Sequence, residues 1–198
     1  MRAVDVVRRA AMLAGAALLM EAACLPLPFG ESPITERTRS RRAAEVAGPV
    51  TARGALAVVR KDALQVSKTV ELRGVSSGED IDHNGRSRTW RFVLAFPSRK
   101  GLGVFELEPC AAEAEDGSLC LSASLSPAGA SREGKSLPMD FVDSPEAVRR
   151  LASAGCDWVS GPTNLSLSTR QLADGAVVWH VSTYGKDYET PFESRPSG

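Results

Sequence analysis

The side chains able to do chemistry are densest in "EDIDHNGRSRTW", residues 79–90. Asp80, Asp82, Asn84 and Gly85 fall at the first, third, fifth and sixth positions of a calcium-binding loop, where oxygen ligands and a sharp glycine turn begin to cage the ion. Completing that cage takes a bidentate Glu at the twelfth position. Counted from Asp80, that position is Arg91, a cation that repels the ion. Asn84 and Gly85 also suit a tight hairpin, because both tolerate positive φ. The stretch therefore reads as a polar turn between strands and not as a metal site, with weak calcium binding through Asp80, Asp82 and Asn84 as the alternative.

Catalytic groupings are sparse. Of the two histidines, His83 sits in that polar turn, and His180 alternates with Trp179 so as to face away from a strand's core side. Neither has a sequence neighbour that proposes a triad. There is no Gly-x-Ser-x-Gly elbow and no phosphate-cradling glycine loop ahead of a helix. No residue is assigned a catalytic role, no cofactor is expected, and the chain reads as a non-enzyme.

Cys24, Cys110, Cys120 and Cys156 lack the paired CxxC spacing of a zinc site. Cys110 and Cys120 flank an Asp116-Gly117 turn, and in an oxidising compartment they would staple a hairpin with arms "VFELEPC" and "CLSASLS". Cys156, with no nearby His to activate it, reads as a small buried apolar residue. The aromatic stripe of Trp90, Phe92, Phe96 and Phe105, with Trp179, reads as core in preference to a ligand groove. Trp158, in the loop "GCDWVSG", is the expected exposed contact residue.

Lys+Arg 24 against Asp+Glu 24 leaves no net field to draw nucleic acid or acidic membranes, so no nucleic-acid partner is expected. The charge is uneven: "TERTRSRRAAE" gathers Arg37, Arg39, Arg41 and Arg42. With no aromatic interleaved for base stacking, that run reads as a solvated linker and not a phosphate-binding patch.

The opening "MRAVDVVRRAAMLAGAALLMEAAC" places Arg2, Arg8 and Arg9 before an apolar run from Ala10 to Met20, then small residues and Cys24. That is the layout of a bacterial export signal. The run spans about 16 Å as a helix, against a bilayer core of about 30 Å, so the segment is not expected to remain as a membrane span. "EAAC" resembles the lipobox of bacterial lipoproteins, with Glu21 standing where that family places an aliphatic residue. The resemblance implies acylation of Cys24 and an exported lipoprotein, periplasmic or anchored at the outer membrane; the alternatives are ordinary cleavage near residue 24 and a cytosolic chain whose first helix packs on the body.

The elements that would position these residues follow from periodicity. "ARGALAVVRKDAL" puts Leu56, Val59, Ala63 and Val66 on one helical face, and "DSPEAVRRLASAG" reads as a helix with Ser144 as N-cap, Pro145 in the first turn and Gly155 as stop. An alternating strand follows each helix, then a glycine turn, a Trp-bearing strand and a third extended piece. The expected fold class is α+β, as two repeated units of one helix and three antiparallel strands. The expected boundaries are a signal segment at 1–24, a flexible linker at 25–50, a first unit with an additional hairpin strand at 51–126, a connector at 127–142 and a second unit at 143–198.

The helix "ALAVVRKDAL", the run "DHNGRSRTWRFVLAF" and their counterparts "DSPEAVRR" and "DGAVVWHV" resemble tandem PepSY-like domains of exported bacterial proteins. That resemblance implies binding, inhibition or regulation in the cell envelope. The expected partners are an unidentified envelope protein or peptide and, through the lipid, the membrane. The alternatives are an envelope hydrolase or its propeptide-like partner, and a structural anchor of an envelope complex.

Overall fold

The computed structural model describes residues 31–110, 117–128, 135–157, 165–183 and 186–193. Among them are β1 (Thr38–Ala47), α1 (Ala52–Val66), β2 (Glu71–Ser77), β3 (Trp90–Phe96), β4 (Gly101–Pro109), β5 (Ser118–Pro127), α2 (Ser144–Ser153), β6 (Ser168–Gln171), β7 (Val177–Thr183) and β8 (Lys186–Pro191). The strands form a single eight-stranded sheet in the order β1-β5-β4-β3-β2-β6-β7-β8, antiparallel throughout. Neither described helix is long and apolar enough to cross a membrane.

This overturns the expectation of two repeated helix-plus-three-strand units. Residues 38–47, expected within the linker, form β1 and pair with β5, while β2 and β6 meet edge to edge in mid-sheet. A three-stranded sheet is marginal alone, and here its open edges are closed by further strands of the same sheet. Local periodicity locates strands, but it carries no signal for which edges meet.

One face of the sheet carries the core. Strand alternation turns Trp90, Phe92, Leu94 and Phe96 to this face, and all four are fully buried, together with Phe105, Leu107 and Trp179. Across from them, α1 buries Ala52, Ala55, Leu56, Val59 and Ala63, and α2 buries Ala147, Val148 and Leu151. Phe141, Trp179 and Phe192 pack ring to ring, with centroids 4.7 to 5.6 Å apart. Both tryptophans also solve a polar problem. Trp90 Nε1 donates to Val50 O at 2.9 Å and Trp179 Nε1 to Val142 O at 2.7 Å, each carbonyl standing one residue before a helix N-cap.

The two helix N-termini converge. The N-cap of α2 is Asp143 and not Ser144, and its Oδ1 accepts from Ser144 N at 2.8 Å and also from Arg53 N in the first turn of α1 at 2.9 Å. One carboxylate thus satisfies orphan amides at the positive ends of both helices. Ser144, fully buried, accepts from Ala52 N at 2.9 Å and donates to Gly85 O at 2.6 Å. The 78–89 loop is thereby fastened to both helices. Nearby, Ser87 and Val50 exchange backbone hydrogen bonds.

The β2/β6 junction relies on hydroxyls. Ser77 N donates to Leu167 O, Leu167 N donates to Ser77 Oγ, and Thr169 Oγ1 both accepts from Val75 N and donates to Val75 O. At the other end of α1, Glu31 accepts from Lys68 N at 2.7 Å, from Ser98 Oγ at 2.7 Å and from the hydroxyl of Ser67, the C-cap residue. A carboxylate beside a helix C-terminus is ordinarily disfavoured. Here the hydroxyl bonds from Ser67 and Ser98, then the Lys68 amide, lower its pKa to about 2.

Two predictions follow from this architecture. Gly85 has φ +70°, and a Cβ there would lie 2.5 Å from Pro145 N and Ser144 C, whereas Gly175, at φ +82°, has nothing within 4 Å of that position. Gly85→Ala should therefore cost about 3 kcal/mol or more and Gly175→Ala about 1 kcal/mol, read from urea unfolding midpoints. For Glu31, a folded pKa depressed from 4.5 to about 2 stabilises above the unfolded value, and that contribution is lost as pH falls through the folded one. The stability gap between the wild type and Glu31→Gln should be constant near neutrality and close between about pH 4.5 and about pH 2.

Candidate functional site

Both described helices occupy one face of the sheet, so the alternate residues of every strand stand on the opposite face, which no described helix covers. The strand register draws a single row across it: Arg41 opposite Ser122, Ser122 opposite Glu106, Glu106 opposite Arg91, Arg91 opposite Ser76, Ser76 opposite Ser168, Ser168 opposite His180, and His180 opposite Glu189. All eight strands contribute, and every member of the row is polar. Its neighbours cross-link it: Arg91 Nε lies 3.5 Å from Glu106 Oε1, Arg41 NH2 lies 3.4 Å from Glu108 Oε1, and Arg170 NH1 lies 3.2 Å from Asp187 and 3.5 Å from Glu189.

Two parts of this face carry chemistry. At the β1 end, Arg39, Arg41 and Arg91 surround Val104, Glu106, Ser122 and Ser124 in a depression of about 590 Å³. At the β8 end, His180 Nε2 lies 3.2 Å from Asp187 Oδ1, close enough for an ion pair when the ring is protonated but without hydrogen-bond alignment. Hydrogen bonding from Ser182, with His180 and Arg170 beside it, holds Asp187 below the usual carboxylate range. Ser168 stands opposite His180 in the register, which brings a histidine, an acid and a serine to neighbouring positions, with His180 Nε2 itself buried.

The calcium-like residues are otherwise employed. Asp80 accepts from the Ser87 hydroxyl and from Arg88 N, and Asp82 Oδ1 accepts from Asn84 N and Arg86 N, both at 2.8 Å. These are turn-closing bonds of the kind that Asp and Asn make with nearby backbone amides. Among the described residues no group of three or more His, Cys, Asp or Glu gathers to hold a metal ion. His83 is exposed, with Nε2 3.1 Å from Asn84 Nδ2.

Cys110 and Cys120 form a disulfide between the end of β4 and β5, with Cα atoms 4.7 Å apart. Cys156 is buried just past α2, and burial, with Asp157 alongside, pushes its thiol pKa up, so the reactive thiolate is disfavoured. Cys24 and Trp158 lie outside the described residues. Three roles escaped the sequence reading: Arg39 and Arg41 as walls of a depression, Glu31 as an anchor, and Gly85 as a point of backbone contact. A signal was present for the first, since Thr38, Arg39, Ser40 and Arg41 alternate as a strand does, but the density of arginine favoured a linker.

Because Asp82 closes a turn, Asp82→Ala should lower stability by about 1 to 2 kcal/mol, and millimolar calcium should shift the melting temperature of neither protein. A calcium-dependent rise in the wild type that the variant loses would show a metal role instead. No family model matches the chain, and neither a curated protein nor a solved structure matches it.

Proposed function

We propose that the chain is an exported, lipid-anchored module of the bacterial cell envelope that acts by binding, inhibition or regulation, without catalysis. The observation that carries this reading is the open face of the sheet. A polar row crosses it on eight strands, among apolar neighbours such as Val93, Val104 and Val178, and neither described helix covers it. A surface of that kind suits an extended partner such as a protein or peptide. Export draws further support from the arginine-led apolar N-terminus ending in Cys24 and from the Cys110–Cys120 disulfide, a bond that persists in oxidising compartments.

The anchor position sets the reach. Six residues separate Cys24 from Glu31, and Glu31 is bonded to the C-terminal end of α1. An acylated Cys24 would therefore hold Glu31 within about 25 Å of the bilayer even with the chain fully extended. The partner would be met close to the membrane.

A second reading, an envelope hydrolase or its propeptide-like partner, is favoured by the His180, Asp187 and Ser168 grouping alone. A turnover activity abolished by His180→Ala or Ser168→Ala would put it first.

Non-reducing mass spectrometry of protein from native cell fractions tests the leading proposal. The expected result is a mature chain beginning at acylated Cys24 with Cys110 joined to Cys120. An unprocessed chain from Met1 with free thiols would overturn it.

A further inference from the structure

The arginine run of "TERTRSRRAAE" acquires a direction once it lies on an edge strand. Arg42 turns toward α1, where its Nε and NH2 lie 3.0 and 2.9 Å from Asp62 Oδ1. Arg39 and Arg41, two residues apart, stand on the open face. Beside them β5 offers only short hydroxyls, because "LSASLS" alternates and sends Leu121, Ala123 and Leu125 inward and Ser122, Ser124 and Ser126 outward. Beyond β5 and β4, Arg91 rises from β3. Long side chains on two strands and short ones between them produce the depression. Its walls stand about 14 Å apart, three strand spacings.

The charges within it are unequal. Among the described residues that line it, three arginines face one carboxylate, Glu106, which lies against Arg91. Arg41 is shared between Glu108 and the carbonyls of Pro109 and Cys110 at 3.4 and 3.1 Å. The Arg39 side chain makes no hydrogen bond or ion pair with any other described residue, while its backbone pairs with Ser124. A guanidinium fork presents paired N–H donors at the spacing of two oxyanion oxygens, and hydroxyls on the floor add donors that can rotate to suit. Among the described residues, no aromatic ring lines the depression to stack a base or a sugar.

We propose that this depression binds an oxyanion-bearing ligand, phosphate or carboxylate, gripped by Arg39 and Arg41 from β1 and met by Ser122 and Ser124 from the floor. The proposal rests on the open face being the binding surface and names the ligand class that it takes. The Arg91–Glu106 pair forms the far wall. Its carboxylate repels a second anionic group there, which favours a ligand whose charge lies at the β1 side.

Calorimetric titration of the full chain with inorganic tripolyphosphate and, separately, with a triglutamate peptide tests it. At least one anion should bind, and the tighter of the two identifies phosphate or carboxylate as the source. Arg39→Gln should weaken that binding about ten-fold. Arg60→Gln, exposed on α1 and away from the open face, should leave it unchanged. The Arg39 side chain bonds to no other described residue, so its variant should keep the wild-type unfolding midpoint. Equal weakening by both variants would reveal diffuse charge attraction and overturn the site, as would the absence of heat with both anions. The mass measurement on Cys24 stands or falls independently, so failure of the anion site and failure of the anchored reading are distinguishable.

Discussion

The meeting of the two helix N-termini at Asp143 and Ser144 is the constraint on which the rest of the molecule depends. A helix start leaves amides without partners and a partial positive charge, and two such starts brought together would repel. The Asp143 carboxylate, accepting from both helices, turns that repulsion into attraction, and the buried Ser144 hydroxyl passes the connection on to Gly85. The 78–89 loop, α1 and α2 are locked at one point, and residues some 60 to 90 positions apart in the chain are brought into register.

That lock explains why the sheet is continuous. The β2/β6 junction is short, and several of its bonds come from the hydroxyls of Ser77 and Thr169 instead of backbone ladder pairs. Such a seam gains little by itself, since a net hydrogen bond contributes only about 1 kcal/mol. With the helices tied together above it, the two flanks of the sheet cannot separate without breaking the buried contacts of Trp90, Trp179 and their neighbours. Packing both helices on one side leaves the other side of eight strands without a cover from either described helix. The polar row and the arginine-walled depression occupy that side.

Much of the local structure was legible. Leu56, Val59 and Ala63 are buried on α1 at the spacing their periodicity predicts, and the alternating Trp90, Phe92, Leu94 and Phe96 all point into the core. Gly155, the expected stop, takes φ +93° just beyond α2. The hairpin stapled by Cys110 and Cys120 was readable because its two arms are consecutive in sequence. The Asp80–Gly85 stretch was legible as a turn from the missing twelfth-position carboxylate, but its role as a fastening point was not. Gly85 looks like Gly175 in sequence, since each follows an Asn or Asp and takes positive φ, and only the first has a helix against it.

What the sequence by itself determined is therefore what period and composition encode: which residues face the core, where the chain turns, and which cysteines can meet. The tertiary structure alone decided that β1 is a strand and not a linker, that β2 and β6 share an edge, and that Arg39 and Arg41 flank serines on a common face. The reason is physical. Side-chain alternation assigns a residue to a face at a range of one or two positions, whereas strand pairing depends on contacts between distant segments whose energy appears only when the whole core closes.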